Sequence, residues 1–179
     1  MSQLRELLVD ELQDLLHAEN QLVAALPKMA AAAKTARLRE AFEKHLEQTQ
    51  HQVERLEQAF QLLGEDAEPK TCRAMAGLIE EGQEKIAEGE TKEEAAADLS
   101  LITAAQKVEH YEISGYGTAR TLALQLDERG VAELLYQTLG EEEASDYLLT
   151  EISKPILQQA RAEDLVGTKS SSSSGKRTR

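Results

Sequence analysis

The feature that most constrains this chain is a heptad-spaced apolar stripe that acids interrupt. Between Leu101 and Ala119 the seven-residue rhythm falls on Leu101, Ala105, Val108, Glu112, Gly115 and Ala119. That spacing predicts a helix with one face turned toward partner helices. Five of the six positions suit such a face. Glu112 does not, because a carboxylate there costs several kcal/mol unless it is paired, protonated or bound to a cation. On a helix Glu109 lies about 60° from Glu112 and Tyr116 about 40°. One helix therefore offers two carboxylates and a phenol to the same interior.

The same rhythm recurs along the chain. A first helix is predicted from an N-cap at Ser2 to Ala33, with Leu8, Leu12, Leu15, Leu22, Leu26 and Met29 on its seam and Glu19 in the gap. Pro27 is expected to kink it. A short turn at Lys34–Ala36 leads into a second, antiparallel helix, Ala36 to Leu63, closed by Gly64. Its seam is Phe42, Leu46, Thr49, Val53, Leu56, Phe60 and Leu63, flanked by His45 and Gln52. A shorter helix, Thr71 to Ala87, falls in a long crossover. Thr91 with Glu94 reads as a capping box that starts the central helix, which continues to Leu126. The last long helix, Glu128 to Ile152, carries Leu135, Leu139, Glu142, Asp146 and Leu149, and Lys154–Pro155 is expected to stop it before a short capping helix, Ile156 to Leu165.

The expected architecture is thus all-α. It is a four-helix bundle whose long crossover between helices two and three carries a short helix, all within residues 1–165. Residues 166–179 form a Ser-rich basic tail, expected to be disordered because nothing in it offsets the entropy of ordering. Helices one and three carry Glu19 and Glu112 at matching places, as a duplicated bundle would.

Composition narrows the partners. The net charge is −13, and the last eleven residues hold four bases and no acid, so the body is more acidic still. Such a body repels nucleic acid and attracts cations. The basic tail is either a solubiliser or a weak, salt-sensitive anchor to nucleic acid. A single cysteine, Cys72, excludes an internal disulfide and fits a reducing compartment. Without a secretory signal or an apolar run of membrane length, a cytoplasmic location is expected.

Glu19, Glu112, Glu142 and Asp146 occupy seam positions on three helices, with Glu109 just beside them. Carboxylates gathered at one level cannot all ionise without counter-charge. Two divalent cations would supply it, and an oxygen-rich set with an imidazole favours iron or manganese. Counting 100° per residue turns His45 inward and Glu47 outward, which makes His45 the preferred ligand on helix two. Glu142 is the inward member of Glu141–Glu143. Tyr116 is placed to hydrogen-bond a ligand carboxylate. The ordinary reading of the remaining residues puts His17, His51 and His110 at the surface, Tyr111 and Tyr136 in packing, and Cys72 as a small apolar residue. Seam acids merely paired with Lys, Arg or protons are the competing account.

Five passages carry a family resemblance: HAENQL (His17–Leu22), AFEKHLEQT (Ala41–Thr49), GLIEEG (Gly77–Gly82), AAQKVEHYEISGYGTA (Ala104–Ala119) and TLGEEEASDYLLT (Thr138–Thr150). They resemble the ferritin-like superfamily and, more narrowly, the YciE/YciF family of bacterial stress-associated proteins. The resemblance implies a rubrerythrin-like four-helix fold, a homodimer and an iron-linked role. The chain departs from the Glu-x-x-His pattern of di-metal bundles, with Gln50 where helix two would need histidine and no histidine on helix four. The expected function is that of a di-iron or di-manganese carboxylate protein oxidising Fe(II), or consuming peroxide or dioxygen. A manganese-catalase-like enzyme and a non-enzymatic, stress-induced helical dimer are the alternatives.

Overall fold

In the computed structural model, which describes residues 2–173, the periodic stretches become five helices: α1 (Gln3–Ala32), α2 (Ala36–Leu63), α3 (Arg73–Gly89), α4 (Glu94–Gln125) and α5 (Arg129–Ser173). There is no strand among the described residues, and none of their helices is long and apolar enough to cross a membrane. α1 packs on α2 and α4, and α5 packs on the same two, so the four long helices close a ring. α3 lies outside that ring against α1 and α4.

Local chemistry sets some of the helix ends. The Ser2 hydroxyl accepts the Arg5 N–H at 3.3 Å and starts α1. Gly64, at φ 67°, ends α2 in the left-handed conformation that glycine adopts without a Cβ penalty. The α1–α2 turn is held from a distance. Asp98 of α4, fully buried, accepts the backbone N–H groups of Lys34 and Thr35 at 2.7 and 2.9 Å. At the opposite turn, Asp127 takes a positive φ of 58°, which aspartate tolerates better than most residues.

Three expected boundaries are corrected. Thr91 does not cap α4: its hydroxyl donates back to the Glu88 carbonyl, and Glu93 is the N-cap without a side-chain cap bond. Pro155 does not stop α5, and the separate capping helix over Ile156–Leu165 is instead a continuation of it. Ile152 and Ile156 are 2% and 8% exposed and belong to the same core as Leu149, so packing on both sides of the proline holds the helical course. The acceptor that Pro155 leaves without a helical partner is the carbonyl of half-buried Glu151, near solvent. The expected tail begins within α5, and its residues 174–179 lie outside the described residues. The buried face of α2 is also rotated slightly from its expected seam. His45 and Gln52 are buried, while Leu46 and Val53 are only half-buried.

The core is in two pieces. One contains Leu22, Leu26, Phe42, Leu101, Ala105 and Leu149; the other contains Leu8, Leu12, Leu56, Phe60, Tyr116 and Leu135. Between them, at mid-length, sit buried Glu19, His45, Thr49, Gln52, Glu109, Glu112 and Glu142. α1 and α4 approach closely beside this layer. A Cβ placed on Gly115 would lie 2.8 Å from Leu15 Cδ2.

Candidate metal centre

Each long helix of the ring contributes to the polar layer because its apolar rhythm turns these polar residues inward with it. Glu19 comes from α1, His45, Thr49 and Gln52 from α2, Glu109 and Glu112 from α4, and Glu142 from α5. His45, Glu109, Glu112 and Glu142 each present one ligand atom, and these four atoms all lie within 4.8 Å of one another. His45 Nε2 stands 3.5 Å from Glu109 Oε1 and 3.8 Å from Glu142 Oε2. Its other nitrogen, Nδ1, is 3.3 Å from the Ser145 hydroxyl. That contact orients the ring so that Nε2 faces the carboxylates.

The layer holds more acceptors than donors. Both oxygens of Glu112, and one each of Glu19, Glu109 and Glu142, are buried without a hydrogen-bond partner. Glu19 does receive the hydroxyl of Tyr116, which the spacing on α4 turns inward, and Glu142 receives the Gln52 amide. Arg55 is the nearby cation, but both its terminal nitrogens are 2.7 Å from Glu141. Burial tends to raise the Glu141 pKa, yet those bonds outweigh it and hold the carboxyl below its ordinary value.

The electrostatics follow from this imbalance. Burial, then repulsion from Glu142, pushes Glu19 well above the ordinary carboxyl range, against the Tyr116 hydrogen bond. Burial, then repulsion from Glu19, Glu142 and Glu109, does the same to Glu112. Burial raises Glu142 well above that range, against the opposing influence of neighbouring His45. Glu109 is raised to about 8, burial again being the largest cause. Without a cation these groups hold protons at neutral pH or repel each other; a divalent cation would displace the protons and satisfy the orphaned oxygens.

The structure does not bring Asp146 into this group. It is half-buried, accepts the Gln106 amide at 2.9 Å and lies 3.5 Å from exposed His110. Asp146 is about 40° around α5 from Glu142, enough for one to face the interior and the other the α4 flank. Glu19 is buried beside the four grouped residues but outside their 4.8 Å set. Gln52, Thr49 and Ser145 were not singled out as site residues from the sequence. The rotated α2 face is what turns Gln52 and Thr49 into the layer.

Other residues also differ from their ordinary reading. His17 does not face solvent; it is half-buried, and its Nδ1 takes the Gln21 amide at 2.7 Å and the Cys72 N–H at 3.2 Å. It thereby straps the crossover to α1. Cys72 caps α3, accepting the Met75 N–H at 3.4 Å, and its sulfur is 3.0 Å from the Tyr111 hydroxyl, which donates to Asp14. Tyr136 is 55% exposed and carries the Arg120 guanidinium 5.0 Å over its ring.

Known proteins match both the chain and this fold. A family profile described as a domain of unknown function, DUF892, matches residues 3–162. Protein YciF of Escherichia coli strain K12 is 44% identical over 154 residues, covering 86% of this chain and 92% of that protein. The chain belongs to the YciE/YciF (DUF892) family. The crystal structure of the E. coli stress protein YciF matches with a TM-score of 0.84 at 42% identity, over 88% of this chain and 99% of that one. YcfI of Rhodopseudomonas palustris matches at 0.79 and 37% identity, over 84% and 94%. A protein of Xanthomonas campestris pv. campestris, 23% identical with a TM-score of 0.69 over 92% and 99%, shares the fold. This YciF-like chain is therefore a homologue of a stress protein, with a buried His/Glu group able to hold a metal ion.

Proposed function

We propose that this YciF homologue is a ferritin-like di-metal carboxylate protein of the bacterial stress response, oxidising Fe(II) or consuming dioxygen or peroxide inside the helical ring. The ring of α1, α2, α5 and α4, with α3 in the crossover, supports reading the fold as a ferritin-like four-helix bundle. The single observation that carries the proposal is the convergence of His45, Glu109, Glu112 and Glu142 in a buried layer whose acceptors lack donors. One ion fits the four converging atoms. The unpartnered oxygen of Glu19, with the free oxygens of Glu112 and Glu142, favours a second.

Iron or manganese suits this oxygen-rich, one-imidazole set, and either supplies redox chemistry with dioxygen or peroxide when bound. The chain's own residues would hold and orient that centre. Ser145 directs His45, Tyr116 holds Glu19, and Gln52 holds Glu142. The two apolar core pieces exclude water from both sides of the layer. A homodimer and a cytoplasmic location belong to the same reading, which sedimentation and fractionation would test.

The deciding experiment is metal analysis of protein purified without chelators, alongside Glu112→Ala. Iron or manganese near two equivalents in the parent, halved or lost in the variant at unchanged helix content, is the expected result. No metal and no uptake of added Fe(II) would leave a non-enzymatic helical dimer. Equal loading of parent and variant would show that Glu112 is not a ligand.

A further inference from the structure

A cavity of about 50 Å³ runs from the protein surface beneath α3 to the polar layer. α3 forms its outer wall with Leu78, Ile79 and Ile86; Leu22 and Met29 of α1, Phe42 of α2, and Ala105 and Val108 of α4 line the inner part. Exposed Lys28 and Gln83 stand at the mouth, and His45 and Glu109 stand at the buried end. The site thus has a side entrance that is almost wholly apolar and that touches two of the four converging ligand residues.

We propose that this cavity is a dioxygen pocket, admitting dioxygen rather than peroxide to the His45–Glu109 side of the centre. The inference rests on the metal-centre reading above and narrows its oxidant. Size comes first. A volume of about 50 Å³ accommodates a diatomic molecule but not a lipid chain or an organic substrate, for which pockets run to several hundred Å³. Wall chemistry comes second. Cavities lined by Leu, Ile and Phe stay dry and take apolar guests.

Hydrogen peroxide would leave its hydrogen bonds to water at the mouth and find no replacement along the Leu, Ile, Met, Phe and Val walls. Burying a hydroxyl without a partner costs about 1–3 kcal/mol on the protein scale. Dioxygen makes no strong hydrogen bonds in water and loses none. The placement of α3 gains a purpose by this account. It covers the seam between α1 and α4 and supplies the apolar roof of the passage.

Xenon serves as the apolar probe for the pocket itself. Xenon-129 NMR of the metal-free full chain should show saturable binding, lost when Ala105→Leu fills the inner part. Ile79→Trp, on the half-buried outer wall, does the same where Ala105→Leu disturbs folding. Metal titration of each variant should match the parent. In the metal-loaded protein, the blocked variants should raise KM for dioxygen by about tenfold or more, the scale on which small steric changes discriminate, with kcat and the hydrogen peroxide rate unchanged. Absence of xenon binding in the parent overturns the pocket even where metal loads. Failure of the parent to load metal overturns the centre, and dioxygen delivery with it, even where xenon binds. Equal slowing with both oxidants overturns the choice of dioxygen.

Discussion

Replacing Glu109 with glutamine tests the electrostatics of the layer without depending on any turnover. Glu109 is 2% exposed and its pKa is raised from 4.5 to about 8, first by burial and then by repulsion from Asp146 and Glu19, against hydrogen bonds that lower it. A group raised in the folded state contributes stability that is fully present below its unfolded value and is lost as pH climbs through the folded one. The window is therefore pH 4.5 to about 8. Each pH step of one within it is worth about 1.4 kcal/mol, so raising pH from 4.5 to 7 costs the metal-free parent on the order of 3 kcal/mol through this residue.

Glutamine keeps the shape and cannot titrate. Glu109→Gln should flatten that slope, so the metal-free variant gains about 3 kcal/mol on the parent between pH 4.5 and 7. Urea unfolding of chelator-treated parent and variant across that range measures it. Saturating Mn(II) should reverse the order at neutral pH, because the cation stabilises the parent's carboxylate and not the amide. Parallel stability curves for the two metal-free proteins would refute the reasoning. They would mean that Glu109 ionises freely and that solvent reaches the layer.

Three further perturbations probe the geometry. His45→Ala should weaken metal binding by more than about tenfold, whereas Glu47→Ala, on the exposed side of α2, should leave it unchanged; titration calorimetry of both reads the difference, and equal losses would mean that α2 presents another face. Tyr116→Phe removes the donor to Glu19 and should lower metal affinity by about 10–100-fold with the helix content intact, an unchanged titration showing that Glu19 needs no anchoring. Gly115→Ala would force α4 from Leu15 and should cost about 1–3 kcal/mol in urea unfolding; no loss would mean that Leu15 moves aside without penalty.

Reading helices from this chain succeeds because amphipathic periodicity and end-capping chemistry are local. Seven seam positions of α1, including Glu19, are all buried, and Ser2 and Gly64 end their helices by rules that involve only a few neighbouring residues. Burial of Glu112 and Glu142 agrees with the same period, which sets them on the stripes of buried Val108 and Leu135. Family membership was legible for a different reason: short passages such as VEHYEI resemble the family's own residues, a likeness that periodicity alone does not supply.

Only the tertiary structure decided what each inward residue meets. The period specifies an angle about one helix axis, with a blur of about 40° that a neighbouring helix must resolve. Packing against α2 and α4 sends Glu142 into the layer and Asp146 toward Gln106 and His110. A similar rotation brings Gln52 to Glu142 and leaves Val53 half-buried. Pro155 reads as a stop from its own backbone, yet Ile152 and Ile156 on either side join the core of Leu26, Phe42 and Leu101, which carries α5 onward. His17 reads as a surface residue until the crossover folds back and sets Cys72 against it. In each case the deciding partner is distant in sequence, so its contact energy is invisible to any local pattern.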